Sequence, residues 1–293
     1  MSQQMVQSLH EEAVAHATLA ERSGELMWRH IETEYTQDVD KIAATLATQA
    51  PLAWTLAREA DDAGAFHFLT GTSVETIRDQ YAVLRKEIEI NRWRALLELR
   101  QGWYTVTQGV CTLTVVANGY ISDGETVTLF PVGTDGVLGE LQVGIVGRRA
   151  NGLLPVDDPD LPRLRLAALA AHEEYLAALR AEDVGGIVAA HAPHAAMATR
   201  SYLSDESILM NVNGEAEIRG YFSAFFERYR VRDVRLVNRI IERWYVFDEL
   251  HWIVEERGDA NRTLEYCTAE LAPFDSDGRY WVRTGAGTDP IEG

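Results

Sequence analysis

The strongest constraint in this 293-residue sequence is a stretch that it contains twice. Residues 77–104 read IRDQYAVLRKEIEINRWRALLELRQGWY, and residues 218–245 read IRGYFSAFFERYRVRDVRLVNRIIERWY. Each opens with Ile-Arg and closes with Trp-Tyr, and the same 26 residues separate Ile77 from Trp103 and Ile218 from Trp244. The spacing predicts two copies of one fold, and the chain is long enough for each copy to bury its own core.

The local patterns repeat in the same order. Helical periodicity covers 3–48, with an interruption expected near Ser23-Gly24 and a second helix over 39–47. Short strands at 53–59 and 65–69 lead to a helix N-capped by Thr72 or Ser73 and running to 88. Four strands follow at 93–100, 103–116, 125–132 and 139–146, with turns at Asn118-Gly119, Asp123-Gly124 and Asp135-Gly136. Residues 148–163 hold Pro155, Pro159 and Pro162, which remove backbone donors and mark a linker. Beyond it, helices at 164–181 and 183–190, strands at 196–203 and 207–212, a helix at 215–229 and strands at 235–247, 250–257, 262–271 and 279–284 repeat the order. The expected domains are thus 1–147, in a structural role, and 164–293, carrying the active or binding site. Helices followed by a run of antiparallel strands make each an α+β domain of order α-α-β-β-α-β-β-β-β, a curved sheet closed by three helices into a cone.

This order, the helix start Gly214-Glu215-x-x-Ile218-Arg219 and the Trp-Tyr-bearing strand resemble the nuclear-transport-factor-2-like superfamily, as tandem SnoaL-like or ketosteroid-isomerase-like domains. The resemblance implies a pocket between the first helix and the concave sheet face. It also implies the superfamily's range of isomerases, dehydratases, cyclases and noncatalytic binding proteins, and a second sheet face that two fused copies could pair as an intrachain pseudo-dimer. A tyrosine of the first helix serves the oxyanion hole in ketosteroid isomerases, and the matching position here is Tyr175. That family's base aspartate falls at Thr199, in the acid-free stretch AAMATRS. A threonine hydroxyl is too weak a base to replace it.

On the first helix of the second half, His172 falls in the apolar stripe of Leu169, Leu176 and Leu179, with Tyr175 at its edge. His172 is therefore the expected acid/base and Tyr175 the donor to an oxyanion, with Asp248, Glu255 or Glu270 available to orient the imidazole. His191, His194, Tyr245 and His251 are the expected substrate contacts. The register of the long repeat puts Ile31 where His172 stands, which leaves the first copy without the histidine.

Composition narrows the function classes. A net charge of −18, spread over both halves, repels phosphate backbones and anionic lipid, so neither nucleic acid nor membrane is an expected partner. There is no secretory leader pattern or long apolar run, so the expected location is cytoplasmic. Cys111 and Cys267 form no Cys-x-x-Cys pair, and only Lys41 and Lys86 are lysines, which disfavours thiolate metal sites and Schiff-base chemistry. His191-x-x-His194 lacks a third ligand, and Gly285-Ala286-Gly287 opens no helix, so neither a metal nor a nucleotide cofactor is expected. The reading is a cofactor-independent enzyme of lyase or isomerase type acting by proton transfer on a small hydrophobic molecule. The alternative is a noncatalytic binding or scaffold protein, and a homo-oligomer is compatible with either.

Overall fold

The computed structural model describes residues 3–49, 51–59, 66–145, 157–200, 209–258 and 262–293. The chain is α+β and forms two tandem domains, with sheets of six and seven strands. The first comprises α1 (Gln3–Glu34), α2 (Val39–Ala43), β1 (Trp54–Glu59), β2 (Phe66–Gly71), α3 (Val74–Glu87), β3 (Ile88–Arg100), β4 (Tyr104–Val115), β5 (Tyr120–Pro131) and β6 (Leu141–Ile145). The second comprises α4 (Leu161–Arg180), α5 (Val184–Ala189), β7 (His191–Thr199), β8 (Met210–Asn213), α6 (Gly214–Arg228), β9 (Tyr229–Ile241), β10 (Tyr245–Glu256), β11 (Thr263–Pro273), β12 (Tyr280–Gly287) and a short β13 (Ile291–Glu292). Strand orders are the same, β2-β1-β6-β5-β4-β3 and β8-β7-β12-β11-β10-β9, with β13 added beside β11.

Local chemistry accounts for the boundaries. Ser73 caps α3 with a capping box, its hydroxyl accepting from the Thr76 N–H while the Thr76 hydroxyl accepts from the Ser73 N–H. The interruption expected at Ser23-Gly24 does not occur, and α1 runs straight through. Ser23 faces inward, bonded to Ala20 O at 2.8 Å and Thr105 Oγ1 at 3.1 Å. Gly24 leaves room for the Arg100 guanidinium, which lies 2.4 Å from where a Cβ would stand.

The strand expected over 235–247 is broken as well. β9 ends at Ile241, and Val246 of β10 pairs back onto it, so Trp244 sits in a hairpin. The same hairpin ends the first repeat. The Trp103 carbonyl accepts from the Val132 N–H at 2.9 Å, and the Trp244 carbonyl from the Phe274 N–H at 3.0 Å. Tyr104 and Tyr245 beside them are fully buried. The repeat that marks the sequence is therefore a helix, a strand and the turn that folds the strand back.

The chain divides into two compact units, Met1–Trp54 with Thr70–Gly147, and Thr55–Leu69 with Arg148–Gly293. Within the second, Thr55 Oγ1 lies 2.7 Å from Thr284 Oγ1, and the Phe66 ring lies 4.3 Å from that of Trp281. The segment read as a linker falls largely outside the described residues, and α4 already begins at Leu161. No helix among the described residues is long and apolar enough to cross a membrane.

Candidate functional site

In the first domain a cavity of about 70 Å³ opens between α1, α3 and the inner face of the sheet. By the measure on which one water needs roughly 10–15 Å³, it has room for about five water-sized groups. Trp54, Trp93 and Phe130 supply apolar wall, while Glu34, Tyr81 and Glu140 supply a polar end. Gly109 of β4 makes the wall possible: a Cβ there would meet the Trp93 indole at 2.3 Å. The Trp93 N–H is satisfied by Thr126 Oγ1 at 3.3 Å.

The polar end is a connected network. His30 Nδ1 is 2.5 Å from Thr45 Oγ1, and its Nε2 is 3.0 Å from the Tyr81 hydroxyl. That hydroxyl is in short hydrogen-bond contact with Glu140 Oε2. Trp54 Nε1 donates to the same oxygen at 3.1 Å, and Gln142 Nε2 donates to Oε1 at 3.1 Å. Arg85 Nη2 lies 3.5 Å from Glu34 Oε1. Burial, with Glu140's charge adding to it, pushes Glu34 up to about 8, although Arg85 pulls the other way. Burial raises Glu140 as well, and burial together with Arg29 and Arg85 lowers His30 to about 3. At neutral pH the imidazole is therefore neutral, and Glu34 is mostly a carboxylic acid. Ligand atoms of His30, Glu34 and Glu140 lie within 4.8 Å of one another, a donor set that could hold a divalent cation. The Tyr81 hydroxyl, bonded to two of the three, already occupies that junction.

The second domain concentrates its polar groups differently. Arg283 on β12 is fully buried; it pairs with Glu270, lies 3.6 Å from Asp248 Oδ2, and places its guanidinium 4.2 Å from the Tyr175 ring centre. His172 Nδ1 bonds the Tyr280 hydroxyl at 3.0 Å, and its Nε2 lies 3.7 Å from Asp248 Oδ2. His191 Nδ1 donates to Ile187 O at 2.8 Å, and its ring lies 6.0 Å from Tyr175. Burial, with Arg283 next in effect, lowers His172 and His191 to about 3. Asp248 is pushed up to about 7 by burial, against the pull of Arg283. Opposite this cluster Leu179, Phe222 and Phe226 pack into the domain core.

Gly285 admits the Glu270 side chain, since a Cβ there would stand 2.4 Å from Glu270 Cγ and 2.6 Å from Ala269 O. Gly285→Ala is accordingly expected to lower stability by about 1–3 kcal/mol through overpacking. Urea denaturation reads this directly, and an unchanged midpoint would mean that the strand has slack.

The structure therefore brings His172, Tyr175 and His191 together and supplies the carboxylate beside His172, which is Asp248. The tyrosine that bonds His172 is Tyr280, not Tyr175. A water-sized sphere does not reach His172. His194 is exposed. His251 pairs with Glu265 at 3.4 Å, and strand alternation puts it with Tyr245 on the sheet face opposite Asp248. Thr199, at the family's base position, donates to Gly285 O at 3.2 Å, and its hydroxyl is 3.5 Å from Glu270.

Both domains share strand order and helix placement. In fold the chain is nuclear-transport-factor-2-like. No protein-family model matches the sequence, and no curated protein matches it. Among solved structures, an LEH-like epoxide hydrolase of M. tuberculosis is 15% identical, covers 44% of this chain and 86% of its own, and has a TM-score of 0.35. An ntf2-like protein of Burkholderia pseudomallei is 16% identical over 41% and 88%, TM-score 0.35. One from Burkholderia xenovorans is 12% identical over 45% and 95%, TM-score 0.35. These likenesses concern fold alone.

Proposed function

We propose that the first nuclear-transport-factor-2-like domain is the working one, taking a small, largely apolar molecule into its cavity and exchanging a proton with it. Glu34 and Tyr81 are the groups in contact with the ligand. The isomerase- or lyase-type chemistry expected of His172 and Tyr175 passes on this reading to the other domain. The observation that carries it is the cavity itself, where two carboxyls meet an apolar aromatic wall. A carboxyl held near 8 can both give and take a proton around pH 7, and a buried phenol can donate to an oxygen that gains charge. The second domain's buried cluster has a structural part on this reading, since His172, Tyr175 and Asp248 surround Arg283.

A thermal-shift screen with small hydrophobic metabolites tests the proposal, run on the wild type and on Cys111→Phe, whose larger ring fills the cavity from β4. A ligand at a hundred times its Kd adds about 2.7 kcal/mol to the wild type, and the variant is expected to lose that gain. Hits that stabilise both proteins equally would place binding elsewhere. Binding with no turnover of any hit would leave the noncatalytic alternative.

A further inference from the structure

A threonine marks the same place on each sheet. Gly109 of β4 stands opposite Thr126 of β5, and Leu250 of β10 stands opposite Thr268 of β11. Each threonine hydroxyl accepts an indole N–H, yet the two tryptophans come from different strands. In the second domain the donor is Trp252 of β10, 3.1 Å from Thr268 Oγ1. In the first it is Trp93 of the edge strand β3, 3.3 Å from Thr126 Oγ1. Trp93 pairs with Cys111 across the ladder, and Val234 pairs with Trp252. The large and the small member of one cross-strand pair have therefore changed places between the domains.

The exchange decides how far each cone is filled. Trp252 stacks on Tyr266 with ring centres 5.9 Å apart, and with Leu250 and Val234 it belongs to the core of the second domain. In the first domain Cys111 and Gly109 stand in the places of Trp252 and Leu250, so β4 sends little volume inward. The Trp93 indole reaches across Gly109, where a Cβ would collide with it, and walls one side of the cavity.

Trp93 is held there from several directions. The Tyr35 hydroxyl donates to the Trp93 carbonyl at 3.1 Å and accepts from the Trp93 N–H at 2.9 Å. The Trp28 ring meets the indole edge-on with centres 5.6 Å apart, and Trp28 Nε1 donates to Glu98 Oε2 at 3.1 Å. Register shifts between Ile90 and Arg92 and between Ala95 and Leu97 flank Trp93, and such irregularities re-aim a strand's side chains.

We infer that Trp93 is the wall that sets the size of what the first domain's cavity can hold. A space of about 70 Å³, with room for about five water-sized groups, suits a single small ring and not a fused pair of rings. The ligand preference rests on the cavity being the binding site, as proposed above; the wall rests on the pairing and packing of Trp93 alone.

NMR titration with two ketones, cyclopentanone and its benzo-fused relative indanone, reads the limit. The wild type is expected to bind cyclopentanone at least about tenfold more tightly than indanone. Trp93→Val, which puts the residue type of Val234 at this place, should abolish or reverse that order. Trp93→Phe should narrow it, and serves if Trp93→Val does not fold. Trp93→Val combined with Cys111→Trp reproduces the pair of Val234 and Trp252 and should bind neither ketone. An unchanged preference in the Trp93 variants overturns the inference. Xenon enters apolar cavities, and its uptake, read by xenon NMR, tests the wall without a chosen ligand. Trp93→Val should take up more xenon than the wild type and the double variant less, whereas equal uptake in all three overturns the inference. If xenon responds as expected while neither ketone binds any of the proteins, the reading of the cavity as a ligand site falls and Trp93 stands as its wall.

Discussion

Arg283→Ala is expected to cost about 3–5 kcal/mol of unfolding free energy, the range for breaking a buried ion pair by removing one partner. Arg283 is fully buried between two carboxyls, Glu270 and Asp248, and its guanidinium also lies over the Tyr175 ring. Alanine removes the cation and leaves both acids in a low-dielectric core. They can escape only by taking up protons, so the loss should shrink as pH is lowered. Arg283→Lys keeps the charge but not the planar stack on Tyr175, and should fall between alanine and wild type. Arg283→Met combined with Glu270→Gln should recover part of the loss, because it removes most of the unpaired charge. Urea denaturation at pH 7.5 and 5.5 checks all three. A loss below about 1 kcal/mol for Arg283→Ala would mean that water reaches the site and that the pair is not buried in solution.

The architecture was legible because it is repeated: the Ile-Arg to Trp-Tyr stretch, one Asp-Gly turn (Asp135-Gly136 and Asp277-Gly278) and the helix start Asp-Val-x-x-Ile (from Asp38 and from Asp183) occur twice in the same order. The cavity of the first domain was not, and the reason is a matter of register. Ile77 and Ile218 differ by 141 positions, whereas Asp38 and Asp183, which open the second helix of each copy, differ by 145. Carrying the first offset into α1 puts Ile31 opposite His172 and makes the first copy look inert. The second offset, which belongs to the helices themselves, puts His30 opposite Tyr175 and Glu34 opposite Leu179. The offset of 141 remains right for α3, where Tyr81 stands opposite Phe222 and Arg85 opposite Phe226. The helix side of the first cone is therefore polar where that of the second is filled by Leu179 and two phenylalanines. Glu140 carried no sequence signal, since it lies just before β6 and reaches Tyr81 only through the fold. Arg283 was equally hidden. A lone arginine in a strand reads as surface until burial shows otherwise.

Acidification should weaken the second domain before the first. In the second domain His172 and His191 are lowered to about 3 from 6.5, while Asp248 is raised to about 7 from 3.8. Between about pH 6.5 and 4 the unfolded segment binds two protons on these histidines, and the folded one binds a single proton, on Asp248. The difference of one proton lowers stability by about 1.4 kcal/mol for each pH unit of acidification, or about 3 kcal/mol across that window. The proton counts of the two states become equal near pH 7, as the unfolded histidines give up their protons, so these groups put maximal stability near neutral pH. In the first domain His30 is lowered to about 3, but Glu34 is raised to about 8. From pH 6.5 to 4.5 the unfolded histidine and the folded Glu34 each hold one proton, so the two effects cancel. The raised Glu140 adds a stabilising tilt on acidification. Hydrogen exchange in urea at pH 7 and 5, corrected for the intrinsic rate, separates the domains by comparing peptides from β10–β11 with those from β4–β5. Protection is expected to fall in the former and hold in the latter. Protection that holds in both would show that His172 and His191 take up protons within the folded second domain, and equal loss in both would show that these groups do not set the difference between the domains.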